Sequence, residues 1–156
     1  MAPKVGSVAP DFTLKDQDNT EVTLSSLRGV APVLLVFYPF AFSRICTGEL
    51  RELRDGLASY TAAGVEVMAI STDPTYALKA YAEQDGYRFT LLSDFWPHGA
   101  ASLDYGVFND KAGMAVRGTF LIDVEGAVTF AEVNGPGEPR DQSSWLRAVE
   151  ALRTVG

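Results

Sequence analysis

The sequence predicts an α/β fold, with a mixed central sheet carrying helices on both faces and a β-hairpin near its N-terminus. Three observations lead there. Val33-Leu34-Leu35-Val36-Phe37 is apolar at every position, the pattern of a strand covered on both sides. Leu50, Leu53, Leu57 and Tyr60 then recur at steps of three, four and three, which marks one face of a helix. Val65-Glu66-Val67-Met68-Ala69-Ile70 follows as a second central strand, so strand, helix and strand form a parallel crossover unit.

The remaining elements are justified in chain order. Residues 9–14 and 21–24 flank Asp16-Gln17-Asp18-Asn19, a turn-rich connection, and read as a hairpin. The helix bearing Leu50 to Tyr60 is expected to stop at Gly64. Thr72-Asp73-Pro74 opens the next helix with proline in its first turn, and Ala77, Leu78, Tyr81 and Ala82 supply its buried face. Residues 89–92 form a short strand, and residues 100–105 a short helix ended by Gly106. Residues 119–123 and 127–131 pair across Val124-Glu125-Gly126 as a tight hairpin. A polar loop over residues 135–141 leads to a closing helix whose apolar face holds Trp145, Leu146, Val149 and Leu152.

Composition narrows the function classes. At 156 residues, 47% hydrophobic and 21% charged, the chain is expected to fold as one domain over residues 1–156. A formal net charge of −7 with no basic cluster argues against nucleic acid or an anionic membrane as partner. The apolar run at 33–37 is too short to span a bilayer. Met1-Ala2-Pro3-Lys4-Val5-Gly6 lacks the apolar core of a signal peptide, and one cysteine allows no internal disulfide. A cytoplasmic location is the expectation. One cysteine and one histidine are too few for a structural zinc site of about four N or S ligands. No metal or cofactor is therefore expected. His98, after Trp96-Pro97, reads as a helix-start or surface residue.

Cys46 is the most informative position. It follows the strand at 33–37 and falls in the first turn of the next helix, where unpaired backbone N–H groups and the positive end of the macrodipole gather. Both favour thiolate over thiol, and the thiolate is the reactive form. A lone cysteine can equally be a small buried hydrophobe, so the surroundings decide. The crossover places Cys46 above the carboxyl end of the first central strand, where open α/β sheets bind ligands.

Pro39-x-x-x-Ser43-x-x-Cys46 resembles the active-site signature of peroxiredoxins, the thiol peroxidases of thioredoxin-like fold. Arg117-Gly118-Thr119-Phe120-Leu121-Ile122-Asp123 resembles the arginine-bearing strand of that family, and Glu49 and Arg140 match family positions. Ser93-Asp94-Phe95-Trp96-Pro97-His98-Gly99-Ala100 and Tyr105-Gly106-Val107-Phe108-Asn109 are similar to the one-cysteine, alkyl hydroperoxide reductase E-type subgroup of actinobacteria. The resemblance implies a thiol-dependent peroxidase reducing hydrogen peroxide and organic hydroperoxides through a sulfenic acid at Cys46. Ser43 would bond thiolate and peroxide, Arg117 would stabilise both and the leaving oxygen, and Pro39 would shape the pocket and exclude water. Glu49, a helical turn beyond Cys46, would hold Arg117 or Arg140 by a carboxylate–guanidinium bond.

Serine at 43 keeps the hydroxyl of the more common threonine and loses its rotamer-limiting methyl. Arg44 can point towards the thiol or face solvent and receives no catalytic role. With no second cysteine, regeneration requires an external thiol or a small redox protein, of the mycothiol and mycoredoxin or thioredoxin type. A homodimer or larger homo-oligomer is implied as well, with Ala41-Phe42, the 94–97 loop and Tyr105 as candidate apolar contacts. Two other readings stay open from sequence. One is a thiol–disulfide oxidoreductase of thioredoxin fold, although Glu49 stands where its second cysteine would be. The other is a non-enzymatic redox-sensing or binding module.

Overall fold

A computed structural model describes residues 2–135 and 138–155, with side chains as far as residue 152. β1 (Thr13–Asp16) and β2 (Glu21–Thr23) form the N-terminal hairpin. β3 (Val33–Phe37), α1 (Arg44–Asp55), α2 (Leu57–Ala62) and β4 (Glu66–Ser71) make the crossover unit, with β3 and β4 parallel. α3 (Thr75–Asp85) leads to β5 (Thr90–Ser93), which pairs parallel with β4. After α4 (Ala100–Asp104) come the small pair β6 (Phe108–Asn109) and β7 (Met114–Ala115), then β8 (Arg117–Ile122), β9 (Val128–Asn134) and α5 (Gln142–Val155). The seven-stranded mixed sheet has the order β2-β1-β5-β4-β3-β8-β9.

β3 is buried at all five positions because it lies between β4 and β8 with a core layer on each side. Its side chains alternate between those layers. Leu34 and Val36, with Tyr38 just beyond, join Cys46, Leu50, Leu53, Tyr60, Tyr81 and Trp145. Val33, Leu35 and Phe37 join Tyr105, Phe120 and Val128. The first layer is roofed by α1, α2, α3 and α5, the second by α4, a 3-10 turn at Leu24–Leu27 and the N-terminal segment. Leu50 and Leu53 are fully buried and contribute about 1.5–3 kcal/mol each. They clamp α1 on the sheet, so its N-terminus is set by the length of loop 38–43.

Several expectations are corrected. The helix foreseen as continuous to Gly64 breaks at Gly56, whose φ of −96° and ψ of 7° leave the helical region. Tyr105 adopts nearly the same angles at the end of α4, so the opening does not depend on glycine, and Leu57 and Tyr60 still turn inward. Pro74 is the N-cap of α3 and lies outside its first turn. Leu146 is half-exposed, whereas Trp145 and Val149 hold the buried face of α5. Tyr105 is no surface contact: it is wholly buried and its hydroxyl donates to the Pro10 carbonyl at 2.6 Å. Pro136 and Gly137 of the foreseen polar loop lie outside the described residues. Among the described residues no helix is long and apolar enough to cross a membrane.

Candidate active site around Cys46

Cys46 is the third residue of α1 and is fully enclosed. Ser43 is the N-cap, and its carbonyl accepts the Thr47 N–H at 2.9 Å. Its hydroxyl makes no capping bond; Oγ is buried and without a partner. A buried hydroxyl normally finds one, so this group is available to a molecule entering beside Cys46. The loop before it is shaped by Phe42, whose φ of +67° lies in the left-handed region and costs about 1 kcal/mol or more for a non-glycine residue. The Phe42 ring lies 4.8 Å from that of Tyr81, and the Tyr81 hydroxyl meets Thr47 Oγ1 at 2.9 Å.

Across from α1, β8 delivers Arg117. Its Nη2 donates to Cys46 Sγ at 3.5 Å, and its Nε lies 3.4 Å from Glu49 Oε1, outside hydrogen-bonding geometry. Glu49 is one turn beyond Cys46 on the same helix and holds Arg140 as well. Arg140 Nη2 donates to Glu49 Oε1 at 2.8 Å and the Arg140 backbone N–H to Oε2 at 2.9 Å. Arg140 Nε donates to the same carboxylate at 3.3 Å, and Nη1 reaches the Phe37 carbonyl at 2.8 Å, the Gly118 carbonyl at 3.2 Å and Thr119 Oγ1 at 3.2 Å. Its guanidinium carbon also lies 5.7 Å from the centre of the Trp145 ring.

The charge count has a chemical consequence. Two buried guanidinium groups share one buried carboxylate, so the cluster carries one uncompensated positive charge. An anion held at this site would meet that charge, and burial makes such a pairing stronger than it would be in water. The α1 N-terminus points the same way.

The structure thus brings Cys46, Arg117, Glu49 and Arg140 into one network, with Ser43 at the N-cap of the same helix. Glu49 holds both arginines where the sequence suggested one or the other. Pro39 is half-buried at the start of the loop, and Arg44 is exposed, which answers the question of its direction. His98 is exposed and ties two segments, with Nδ1 3.1 Å from the Phe95 carbonyl and Nε2 2.7 Å from the Gly113 carbonyl. Sequence reasoning gave no role to Tyr38. It is wholly buried in the same layer as Cys46, and its hydroxyl has no partner. Burial pushes that phenol well above its ordinary value, so it stays a neutral O–H donor. Its place directly before Pro39 was the available signal.

A model of the AhpC/TSA family matches residues 5–131. The chain belongs to that family. It is 53% identical over 148 residues to proteins named alkyl hydroperoxide reductase E from Mycobacterium tuberculosis and Mycobacterium bovis, covering 95% of this chain and 97% of theirs. Alkyl hydroperoxide reductase C of Amphibacillus xylanus is 34% identical, over 89% of this chain and 74% of that protein. Among solved structures, the reduced 2-Cys peroxiredoxin of Plasmodium vivax superposes with a TM-score of 0.88 at 32% identity, covering 97% of this chain and 83% of that one. Peroxidoxin BcpB of Mycobacterium tuberculosis gives 0.83 at 31% identity, with 98% of each chain covered. The fold is therefore the thioredoxin-like fold of peroxiredoxins. With its single cysteine, this AhpC/TSA protein is a peroxiredoxin of one-cysteine type, a thiol-dependent peroxidase.

Proposed function

We propose that Cys46 is the peroxide-reducing nucleophile, acting with Ser43, Arg117 and Pro39, and that Glu49 and Arg140 hold Arg117 in place. The 3.5 Å approach of Arg117 Nη2 to Cys46 Sγ carries this reading. The thiolate forms a bond to one peroxide oxygen as the O–O bond breaks. The leaving oxygen takes the electron pair and a proton, departing as water or alcohol, and Cys46 becomes a sulfenic acid. Arg117 faces the sulfur and stays charged throughout, so it stabilises the thiolate before attack and the leaving oxygen during it. The free Ser43 hydroxyl supplies a second donor. Half-buried Pro39 offers no N–H and keeps water from the sulfur.

Hydrogen peroxide and organic hydroperoxides are the substrates, and an external thiol returns the sulfenic acid to thiol. Mycothiol with mycoredoxin is the pair favoured by the 53% identity to the mycobacterial proteins, with a thioredoxin-type donor as the other option. Cytoplasmic location and a homodimer complete the reading, the latter supported by half-exposed Phe42 and Phe95 and largely exposed Trp96. A thiol–disulfide reductase is disfavoured because Glu49, at the second-cysteine position, is committed to two arginines.

Stopped-flow tryptophan fluorescence against a panel of peroxides tests the proposal. Trp145, under the Arg140 guanidinium, is the expected reporter, and Trp96, 80% exposed, is not. Cys46→Ser should fold normally and show no peroxide-dependent signal or turnover. A Cys46→Ser protein that still consumes peroxide at the wild-type rate would sink the assignment.

A further inference from the structure

We propose that Asp73 is a positioning residue for peroxide reduction: its carboxylate, reaching across from the end of β4, holds the loop that sets Ser43, the N-cap of α1. This rests on the reading of Cys46, Ser43 and Arg117 given above. Asp73 Oδ2 accepts the Ala41 N–H at 2.8 Å. Among the described residues, this is the one hydrogen bond from a side chain to the backbone of residues 39–43. The other bonds within that stretch are local, such as the Ser43 N–H to the Phe40 carbonyl at 3.4 Å.

The anchor is itself anchored. Ser71 Oγ donates to the same Asp73 oxygen at 2.6 Å, and Ser93 Oγ donates to the Asp73 carbonyl at 2.6 Å. Asp73 is thereby fixed to the C-terminal ends of β4 and β5, a rigid part of the sheet. The loop it holds needs holding, since Phe42, the next residue after Ala41, sits at φ +67°. A non-glycine residue keeps such a conformation only where its surroundings over-determine it. The Asp73 carboxylate on one side and the Tyr81 ring on the other supply that determination. Releasing the first lets Phe42 relax towards an extended conformation, and Ser43, its immediate neighbour, moves with it. Cys46 and Arg117 stay where Leu50, Leu53 and Glu49 hold them.

Asp73→Ala should lower the second-order rate with hydrogen peroxide by about tenfold or more, as misplacing a positioned group does. Asp73→Asn keeps an acceptor oxygen for the Ala41 N–H and should recover the rate to within about threefold of wild type. Because Asp73 acts through Ser43, adding Asp73→Ala to Ser43→Ala should cost little beyond Ser43→Ala alone. Wild-type rates in a folded Asp73→Ala protein would overturn the proposal. So would an Asp73→Asn protein as slow as the alanine variant, or independent, multiplying losses in the double variant. The two readings separate cleanly: turnover by Cys46→Ser refutes the nucleophile, whereas an inert Cys46→Ser beside a fully active Asp73→Ala refutes only the anchor.

Discussion

Glu49 binds Arg140 through both carboxylate oxygens and stands 3.4 Å from Arg117 Nε, so neutralising it leaves two buried cations without the carboxylate that pairs them. Breaking a buried pair from one side costs about 3–5 kcal/mol. Glu49→Gln is expected to lose stability on that scale in urea unfolding and to slow peroxide reduction as Arg117 loses its support. An unchanged unfolding midpoint would show that the arginines do not depend on the carboxylate. Arg117 gives the complementary case, because removing one preorganised donor at a reacting centre commonly costs about 10²–10³ in rate. Arg117→Ala should fall by that factor. Arg117→Lys should recover little, because an ammonium cannot reproduce the planar guanidinium contact with both Cys46 and Glu49. A loss below about threefold in the alanine variant would remove Arg117 from the chemistry. Cys46 stood out in the sequence by its place at a helix start, whereas Arg117, Glu49 and Arg140 were legible only through the family resemblance of the segments that carry them. Tyr38 and Asp73 were not. Tyr38 lies just past the apolar run at 33–37 with only its place before Pro39 to mark it, and the link from Asp73 to Ala41 spans 32 residues that only folding brings together.

At the scale of elements, the fully apolar strand 33–37 and the three-and-four spacing from Leu50 to Tyr60 identified the crossover that carries Cys46. Glycine context was harder to read. The break at Gly56 comes with no change in hydrophobic period to mark it. β6 and β7 are two residues each, too short to show any alternation. Gly118 shows what such a position can do. It lies in β8 between Arg117 and Thr119, and a Cβ there would come within 2.6 Å of Val107 Cγ1 and 3.1 Å of Phe120 Cε2. The Gly118 carbonyl also accepts from Arg140. Gly118→Ala should therefore displace β8 beside both arginines, lowering stability by about 1–3 kcal/mol and slowing the reaction. Adding Val107→Ala opens the space, and the pair should regain most of the lost rate. If Gly118→Ala behaved as wild type in thermal unfolding and peroxide kinetics, the packing between β8 and Val107 would be looser than the geometry requires.

The whole molecule has one sulfhydryl, and that fact dictates the shape of its catalytic cycle. A sulfenic acid at Cys46 has no second cysteine to attack it, so the resolving sulfur comes from elsewhere. A second copy of the chain is poorly placed to provide it. A disulfide needs Cα atoms within about 7 Å of each other, yet Cys46 is wholly enclosed at the third position of α1. Two such residues could meet only if both helix starts unwound and both Arg117 contacts broke. A small thiol needs far less, only access to one sulfur. Attack by that thiol on the sulfenic sulfur forms an S–S bond and expels water, and a further thiol then frees Cys46 by exchange. Intact-protein mass spectrometry tests the sequence of steps. One equivalent of peroxide should add one oxygen, trappable by a sulfenate reagent. Thiol added next should convert that species to a single thiol adduct, and excess thiol should restore the original mass. Peroxide in excess without thiol should instead add two or three oxygens, oxidation states a thiol cannot reverse. A Cys46-linked dimer forming faster than the thiol adduct, and reducing to active enzyme, would replace this cycle with one in which two copies resolve each other.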